Sequence, residues 1–577
     1  MTRLDLAAGR DFPKCNIMGV FRFTDPRELS NSTQLRTNQR AHEIALATEL
    51  AIQHLSEGNG TLIPEVKDLD KSCPITFSVS FFDTKNNPAE AFEIVDTLTG
   101  DEEIVPCAFL GARSSTLSKT TGLVTGIRGV PQISMASTST SLNDKSDYPL
   151  FGRTIPDDSI MAERFVQFLH NILKVRHVFV IFESRAYTRS ILTSIKDAIS
   201  NNGWDIHLEN RIIESPGSNE TLDDNRFQHR LQDIIQDLKN SNFRYVISLT
   251  TAGDLSNMLM EIAYDQGVAG NGAHSWWFFE SSGLENVNLS QNLNRAYDGV
   301  GSISQSMDTT SPLYDEFHKQ SSELKQQLYE NANESEWLTL QEDQFFIGDQ
   351  YSFQYPSFAY DATILLGLSA CREIEDLRNP KLLTGRKYFE RIKKVNFEGL
   401  TGPMDLDDTT GTRVGNTVKY VIENWLPNTT TSDGTTFKDT TTYVFLPNST
   451  HWTNVSPFVF NGNQTTIPLD LPPVDMYWNT VNIPILGLAW AMAAIILLST
   501  TGATIWTYCN RKSRIVRASQ PVSAWNFDAS ISFVLPNILT YDHSLLSLSN
   551  YFQSITNSSF CICCVLALPS RGRRSFH

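Results

Sequence analysis

The 577-residue chain lacks most of the motifs that would mark it as an enzyme. It has no GxxxxGK[ST] phosphate loop and no GxGxxG turn, and its near-match to HExxH, His42–Leu46, fails at the last position. Its eleven histidines form no pair at metal-ligand spacing. No catalytic residues, metal or cofactor are implied. Basic residues are also short: 47 Lys and Arg stand against 64 Asp and Glu, for a net charge of −17. From Cys509 onward there are seven Lys or Arg and two acids, a net +5, so the first 508 residues hold −22. An acidic body of that kind excludes a nucleic-acid partner, which needs a basic face. Charged residues make up 19% and hydrophobic ones 41%, enough to bury large cores, and the length suits two or three domains.

Long apolar runs are scarce, and the one that occurs decides the broad class. Ile483–Tyr508 holds 26 residues without a charge, where a helix across a bilayer needs about 20. Trp490, Trp506 and Tyr508 suit the interfaces, and Arg511, Lys512, Arg514 and Arg517 follow, while Asp470 and Asp475 precede. The positive-inside rule then predicts a single-pass plasma-membrane protein with an extracellular N-terminal body and a cytoplasmic tail. Nine N-x-S/T triplets lie on the outer side, at Asn31, Asn59, Asn219, Asn288, Asn333, Asn428, Asn448, Asn454 and Asn463, and a tenth, Asn557, lies beyond the span. No leader-type apolar core is visible in the first 21 residues, so the true N-terminus is expected upstream.

Cysteine is sparse, with eight residues at 15, 73, 107, 371, 509, 561, 563 and 564. Cys73 and Cys107 flank a strand–helix unit and either pair in an oxidising compartment or stay as buried thiols. Cys561, Cys563 and Cys564 suit palmitoylation or metal ligation, without a second ligand pair to favour the latter.

Between residues 12 and 480 strand and helix signals alternate, predicting an α/β fold in two lobes with parallel sheets. In such sheets ligands bind beyond the carboxyl ends of the strands. Four of those ends carry small polar residues or Tyr: 111–116 (GARSST), 136–141 (ASTSTS), 183–187 (ESRAY) and 250–254 (TTAGD). Hydroxyls and free amides at a following helix N-terminus can hold a carboxylate. The loop 405–411 (DLDDTTG) has the look of a calcium loop, but its glycine is seventh rather than sixth and a turn fits better.

The segments GARSSTLS, VPQISMASTSTSLND, YPLFGRTIPDD and FEGLTGPMDLDDTTGTR resemble, in order and spacing, the extracellular Venus-flytrap domain of class C G-protein-coupled receptors, a fold similar to type I periplasmic binding proteins. The stretch 510–521 (NRKSRIVRASQP) resembles the first intracellular loop of metabotropic GABA (type B)-receptor-like proteins. The resemblance implies a Venus-flytrap domain at 12–425, with lobe one at about 12–156 and 302–398 and lobe two at about 157–301 and 399–425. An N-terminal remnant (1–11) precedes it. A glycosylated stalk (426–480), a transmembrane helix (481–508) and a cytoplasmic tail (509–577) follow.

It further implies that Ser115 or Ser114, with Ala136, Ser137 and Thr138, holds a ligand carboxylate. Asp158 meets the ligand ammonium and Tyr187 stacks over it. Thr251 and Glu280 close from lobe two. Read as residues alone, Ser137, Thr138 and Asp158 could equally cap helices, and Tyr187 could be packing. The implied function is a cell-surface receptor for an amino-acid-like small molecule, able to form a homo- or heterodimer. The chain past residue 521 has no apolar run long enough for the six further helices of such receptors, so G-protein coupling is expected only of a longer form. A single-span clearance receptor and a ligand-free dimerisation partner are the alternatives.

Overall fold

Strand residues that alternate between two apolar clusters build the first lobe. In a computed structural model, residues 13–24, 39–100, 106–214, 222, 224–250, 253–279, 290–306, 311–330, 354–372, 383–431, 434–473 and 483–515 are described. They fall into two units, one ending at Pro473 and one beginning at Val474.

The chain starts with β1 (Lys14–Phe21), α1 (Gln39–Glu57), the single-turn α2 (Leu69–Ser72), β2 (Thr76–Asp83), α3 (Pro88–Gly100), β3 (Pro106–Gly111), α4 (Ser115–Arg128), β4 (Gln132–Ser134) and β5 (Phe151–Arg153). The five strands form a parallel sheet in the order β2-β1-β3-β4-β5. Within β1, Cys15, Ile17 and Phe21 enter one core while Met18 and Val20 enter another. That period of two, apolar on both faces, is what a sheet covered by helices on both sides requires.

The second lobe follows with α5 (Asp158–Asn171), β6 (His177–Glu183), α6 (Ala186–Asn201), β7 (His207–Ile213), α7 (Asn225–Ser241), β8 (Tyr245–Leu249), α8 (Gly253–Asp265), β9 (Ser275–Phe279), α9 (Gln291–Tyr297) and β10 (Val300–Ser306). β6 divides its side chains as β1 does: Val178, Val180 and Phe182 face one core, Phe179 and Ile181 the other. α7 buries Phe227, Leu231, Ile235 and Leu238, a stripe at helical spacing, against the second of these. The chain then returns to lobe one as α10 (Pro312–Glu330), α11 (Gln354–Cys371) and α12 (Gly385–Lys393). α11 lies so close along α1 that a Cβ on Gly367 would stand 2.4 Å from Leu55.

A small hairpin, β11 (Phe397–Gly399) and β12 (Gly402–Met404), leads into the long antiparallel pair β13 (Lys419–Thr431) and β14 (Gly434–Phe445), and then β15 (Thr453–Asn454). The lobe-two sheet has eight strands in the order β15-β14-β13-β10-β9-β8-β6-β7.

Three expectations are corrected here. β10 reaches residue 306 inside the lobe-two sheet, so lobe one does not resume at 302. The segment 426–473 is not a free stalk. It supplies two strands, buries Trp452, Phe458 and Phe460, and stacks Phe458 on Trp277 at 5.0 Å between ring centroids. Asp470 fastens its end to lobe two, accepting from the backbone N–H groups of Arg176 at 2.7 Å and His177 at 3.0 Å. Finally, Cys73 does not pair with Cys107. Cys107 on β3 pairs with Cys15 on the adjacent β1, at a Cα separation of 4.9 Å, and Cys73 after α2 pairs with Cys371 at the end of α11, at 5.4 Å. Strand adjacency, which spacing along the chain does not reveal, sets the partner.

In the second unit, α13 (Ile483–Cys509) carries no charged residue, and its Trp490–Cys509 portion is long and apolar enough to cross a membrane.

Candidate ligand-binding site at the lobe junction

The hydroxyl-rich loop after β4 lies beside the start of α4. Ser137 Oγ donates toward the carbonyl of Ala112 at 3.0 Å and contacts Ser118 Oγ at 2.8 Å. Ser134 Oγ and Ser118 Oγ reach the same carbonyl at 2.8 and 3.0 Å. Ser115 Oγ accepts from the Ser139 N–H at 3.3 Å. Ser137 and Ser115 thus hold the loop against α4. The Thr138 hydroxyl and N–H, and the Ser114 hydroxyl, make no hydrogen bond among the described residues. Ser114 stands at the N-cap of α4 without capping it. Ala136 is buried in the same corner, its N–H 3.3 Å from Ser134 Oγ. Two hydroxyls and an amide are therefore without a hydrogen-bond partner among the described residues beside the α4 N-terminus, whose first N–H groups have no partner within the helix. Such a set can accept a carboxylate.

This corner touches lobe two directly. The Thr138 carbonyl accepts from the Asp158 N–H at 2.8 Å. Thr140 N–H donates to Ser190 Oγ on α6 at 3.1 Å. Tyr187, half-buried on the first turn of α6, precedes Ser190 by three residues and so shares its face of the helix. Asp158 is completely buried, and the cap of α5 is Asp157, which accepts from the Ser159 N–H at 3.0 Å. Thr251 and Glu280 lie outside the described residues.

Behind the corner is a polar cluster that the sequence reading missed. Arg153, at the end of β5, is completely buried. Its Nη1 donates to the carbonyls of Ser137 and Ser139, both at 2.9 Å, its Nη2 to Asn143 Oδ1 at 2.5 Å and its Nε to Thr412 Oγ1 at 3.0 Å. Arg413, also buried, donates to the carbonyls of Thr154 at 3.2 Å, Thr401 at 3.0 Å and Pro403 at 2.9 Å, and to the Thr401 hydroxyl. Asp361 on α11 accepts from the N–H groups of Leu400 at 2.8 Å and Thr401 at 3.0 Å.

Burial lowers the guanidinium pKa of both arginines to about 10, against the nearby Asp157 and Asp158 for Arg153 and Asp361 for Arg413. Burial likewise raises the Asp361 carboxyl, against the Arg413 charge and its hydrogen bonds. The backbones of Arg153 and of 411–413 bond to each other, so two of the quoted motifs meet at this point. A buried arginine is not legible from composition, since Arg is almost always exposed.

The loop 405–411 is a turn, with Asp407 Oδ1 accepting from the N–H groups of Thr409 at 3.0 Å and Thr410 at 2.7 Å. Among the described residues no group of three or more His, Cys, Asp or Glu is placed to hold a metal ion. Of the glycosylation candidates, Asn448, Asn454 and Asn463 are exposed, and Asn59 Oδ1 accepts from the Thr61 N–H at 3.0 Å. Asn428 lies in β13, while Asn31, Asn219, Asn288, Asn333 and Asn557 lie outside the described residues.

Two α/β lobes crossed by several chain segments, with open donors beyond the strand ends, define a periplasmic-binding-protein-like ectodomain. Residues 64–428 match the model of the receptor family ligand binding region, and the chain belongs to that family. It is similar to a G-protein coupled receptor family C group 6 member A of Carassius auratus, 26% identical over 301 residues, covering 50% of this chain and 33% of that receptor. The extracellular calcium-sensing receptor of Bos taurus is 24% identical over 204 residues, covering 33% and 18%. Metabotropic glutamate receptor 4 of Mus musculus is 28% identical over 163 residues, covering 28% and 17%. The matched part spans a third or less of each of these class C receptors.

Proposed function

We propose that this chain binds an extracellular amino-acid-like small molecule between its two lobes and belongs to a cell-surface receptor of class C lineage. The carrying observation is the contrast within one corner: Ser137 and Ser115 are tied into the fold, while Ser114 and Thr138 have donors without a partner among the described residues beside the α4 N-terminus. In this reading the carboxylate takes those donors, Asp158 supplies negative charge for the ammonium, and Tyr187 closes over it from α6. Thr251 and Glu280 remain proposed contributors from lobe two. The ligand acts by binding the closed arrangement better than the open one. Binding rather than catalysis fits relatives that are receptors. α13 is the proposed span, with residues 13–473 outside. A GABA type B-like place within the class rests on residues 510–521 alone, and coupling to a G protein belongs to a longer form.

The test is thermal unfolding of the purified chain in detergent against a panel of amino acids and gamma-aminobutyric acid. A ligand at 100 times its dissociation constant stabilises the fold by about 2.7 kcal/mol. A shift that disappears in Thr138→Val and Ser114→Ala supports the site. No shift from a well-folded chain turns the reading to a partner role. A surface favours that second reading: Leu123 and Ile127, one turn apart on α4, are 43% and 83% exposed, and Phe92 on the neighbouring α3 is 49% exposed. This apolar ridge suits a dimer contact.

A further inference from the structure

We infer that the turn after α13 is a site for acidic phospholipid headgroups, held by Arg511, Lys512 and Arg514 in the leaflet where α13 ends. The inference rests on the reading of α13 as a membrane span and not on the ligand reading of the lobes. α13 runs 27 residues without a charge, and the three cations follow directly after its end at Cys509. The chain there stays wound onto the helix. The N–H of Asn510 donates to the Trp506 carbonyl at 3.0 Å, that of Arg511 to the Tyr508 carbonyl at 3.4 Å and that of Ser513 to the Asn510 carbonyl at 2.9 Å. Trp506 and Tyr508 are each 59% exposed, and such aromatic residues favour the headgroup level of a bilayer. The Arg511 guanidinium lies over the Tyr508 ring, 4.5 Å from its centroid. The first cation is thus held beside an interfacial ring.

All three cations are exposed, and none of their side chains makes a hydrogen bond or ion pair among the described residues. Cations that only complement a helix C-terminus turn back toward its last carbonyls. Here the Trp506 carbonyl is served by Asn510, through its N–H and through its Nδ2 at 2.9 Å. The sequence holds no Asp or Glu between Asp475 and Asp528, so no acid close along the chain neutralises the cluster. Stacking on Tyr508 occupies a guanidinium face and leaves its N–H edges, which match a phosphate or carboxylate by paired hydrogen bonds. A phosphatidylserine headgroup carries both groups. Each Lys or Arg near an acidic membrane surface strengthens binding by about 5-fold.

The experiment titrates the full chain in detergent with phosphatidylserine and with phosphatidylcholine of the same acyl chains, and counts bound lipids by native mass spectrometry. Soluble glycerophosphoserine, the headgroup without chains, is the third probe. Wild type should bind phosphatidylserine about 10- to 100-fold tighter than phosphatidylcholine. Replacing all three cations by glutamine should cut that preference to about 2-fold or less, while Arg511→Lys with Arg514→Lys should keep most of it. Ser513→Asp sets one negative charge among the cations and should lower it by about 5-fold. That variant carries the test alone if the glutamine variant does not insert. Equal binding of the two lipids by wild type, or a preference that survives the glutamine variant, overturns the inference. So does glycerophosphoserine binding as tightly as the lipid, which would make this a site for free anions. Alkaline carbonate extraction of membranes holding the full chain keeps the two readings apart. Release of the chain overturns the span and the inference together, whereas retention without lipid preference overturns the inference alone.

Discussion

Two polar clusters meet at the lobe junction and differ in how they use their hydrogen bonds. Around Arg153 and Arg413 the donors are spent inside the protein, on carbonyls, on hydroxyls and on the side chain of Asn143. A few residues away, the Ser114 and Thr138 hydroxyls have no hydrogen-bond partner among the described residues. A buried polar network stabilises a fold only when its members are satisfied. An unsatisfied set at a strand end costs stability unless water or a ligand completes it. The first cluster therefore reads as the brace of the junction and the second as the place where something else binds.

Breaking the brace should give the largest effect. Arg413→Met leaves the carbonyls of Thr401 and Pro403 without their donor and removes the cation that offsets buried Asp361. Removing one member of a buried charge pair costs about 3–5 kcal/mol, so the urea midpoint should fall steeply. A loss under about 1 kcal/mol would mean that the cluster does not brace the fold.

Glu49 on α1 shows what burial does without compensation. It makes no hydrogen bond or ion pair among the described residues, and burial raises its carboxyl to about 7. A raised carboxyl binds its proton more tightly folded than unfolded. Its favourable contribution is therefore full below the unfolded value of about 4.5 and is lost as pH rises through about 7. Glu49→Gln should match wild type near pH 4.5 and be more stable at pH 8 by about 1–3 kcal/mol. Melting curves across that window check it, and parallel curves at every pH would remove Glu49 from the comparison.

How much of this was readable in the sequence depends on the kind of interaction. The parallel sheets and the apolar span were legible because they rest on local periodicity, as in β1, β6 and α13. The corner at 136–138 was legible because it follows a strand end. The brace was not, since Arg153 and Thr412 are 259 residues apart and only the fold joins them. The disulfides failed for the same reason, Cys73 pairing 298 residues away. The segment 426–445 was misread through its Thr, Asn and Pro content. Thr favours strands, and the Asp433–Gly434 dipeptide between two Thr-rich runs is a hairpin signal.

The smallest effects separate the two clusters most finely, because they fall within one corner. Ser137→Ala removes a hydroxyl bonded toward Ala112, but Ser134 and Ser118 still serve that carbonyl. A loss of about 1 kcal/mol is expected. Thr138→Val exchanges a hydroxyl that makes no hydrogen bond for a methyl of similar size, so unliganded stability should change by less than about 0.5 kcal/mol. Ser114→Ala should behave the same way. Urea unfolding without ligand measures these differences, and repeating it with any amino acid that shifts wild type measures the other half. If the open donors belong to a ligand, Thr138→Val keeps its unliganded midpoint and loses the ligand-induced shift, while Ser137→Ala loses some of both. If Thr138→Val is as destabilised without ligand as Ser137→Ala, its hydroxyl belongs to the brace and the distinction between the clusters fails.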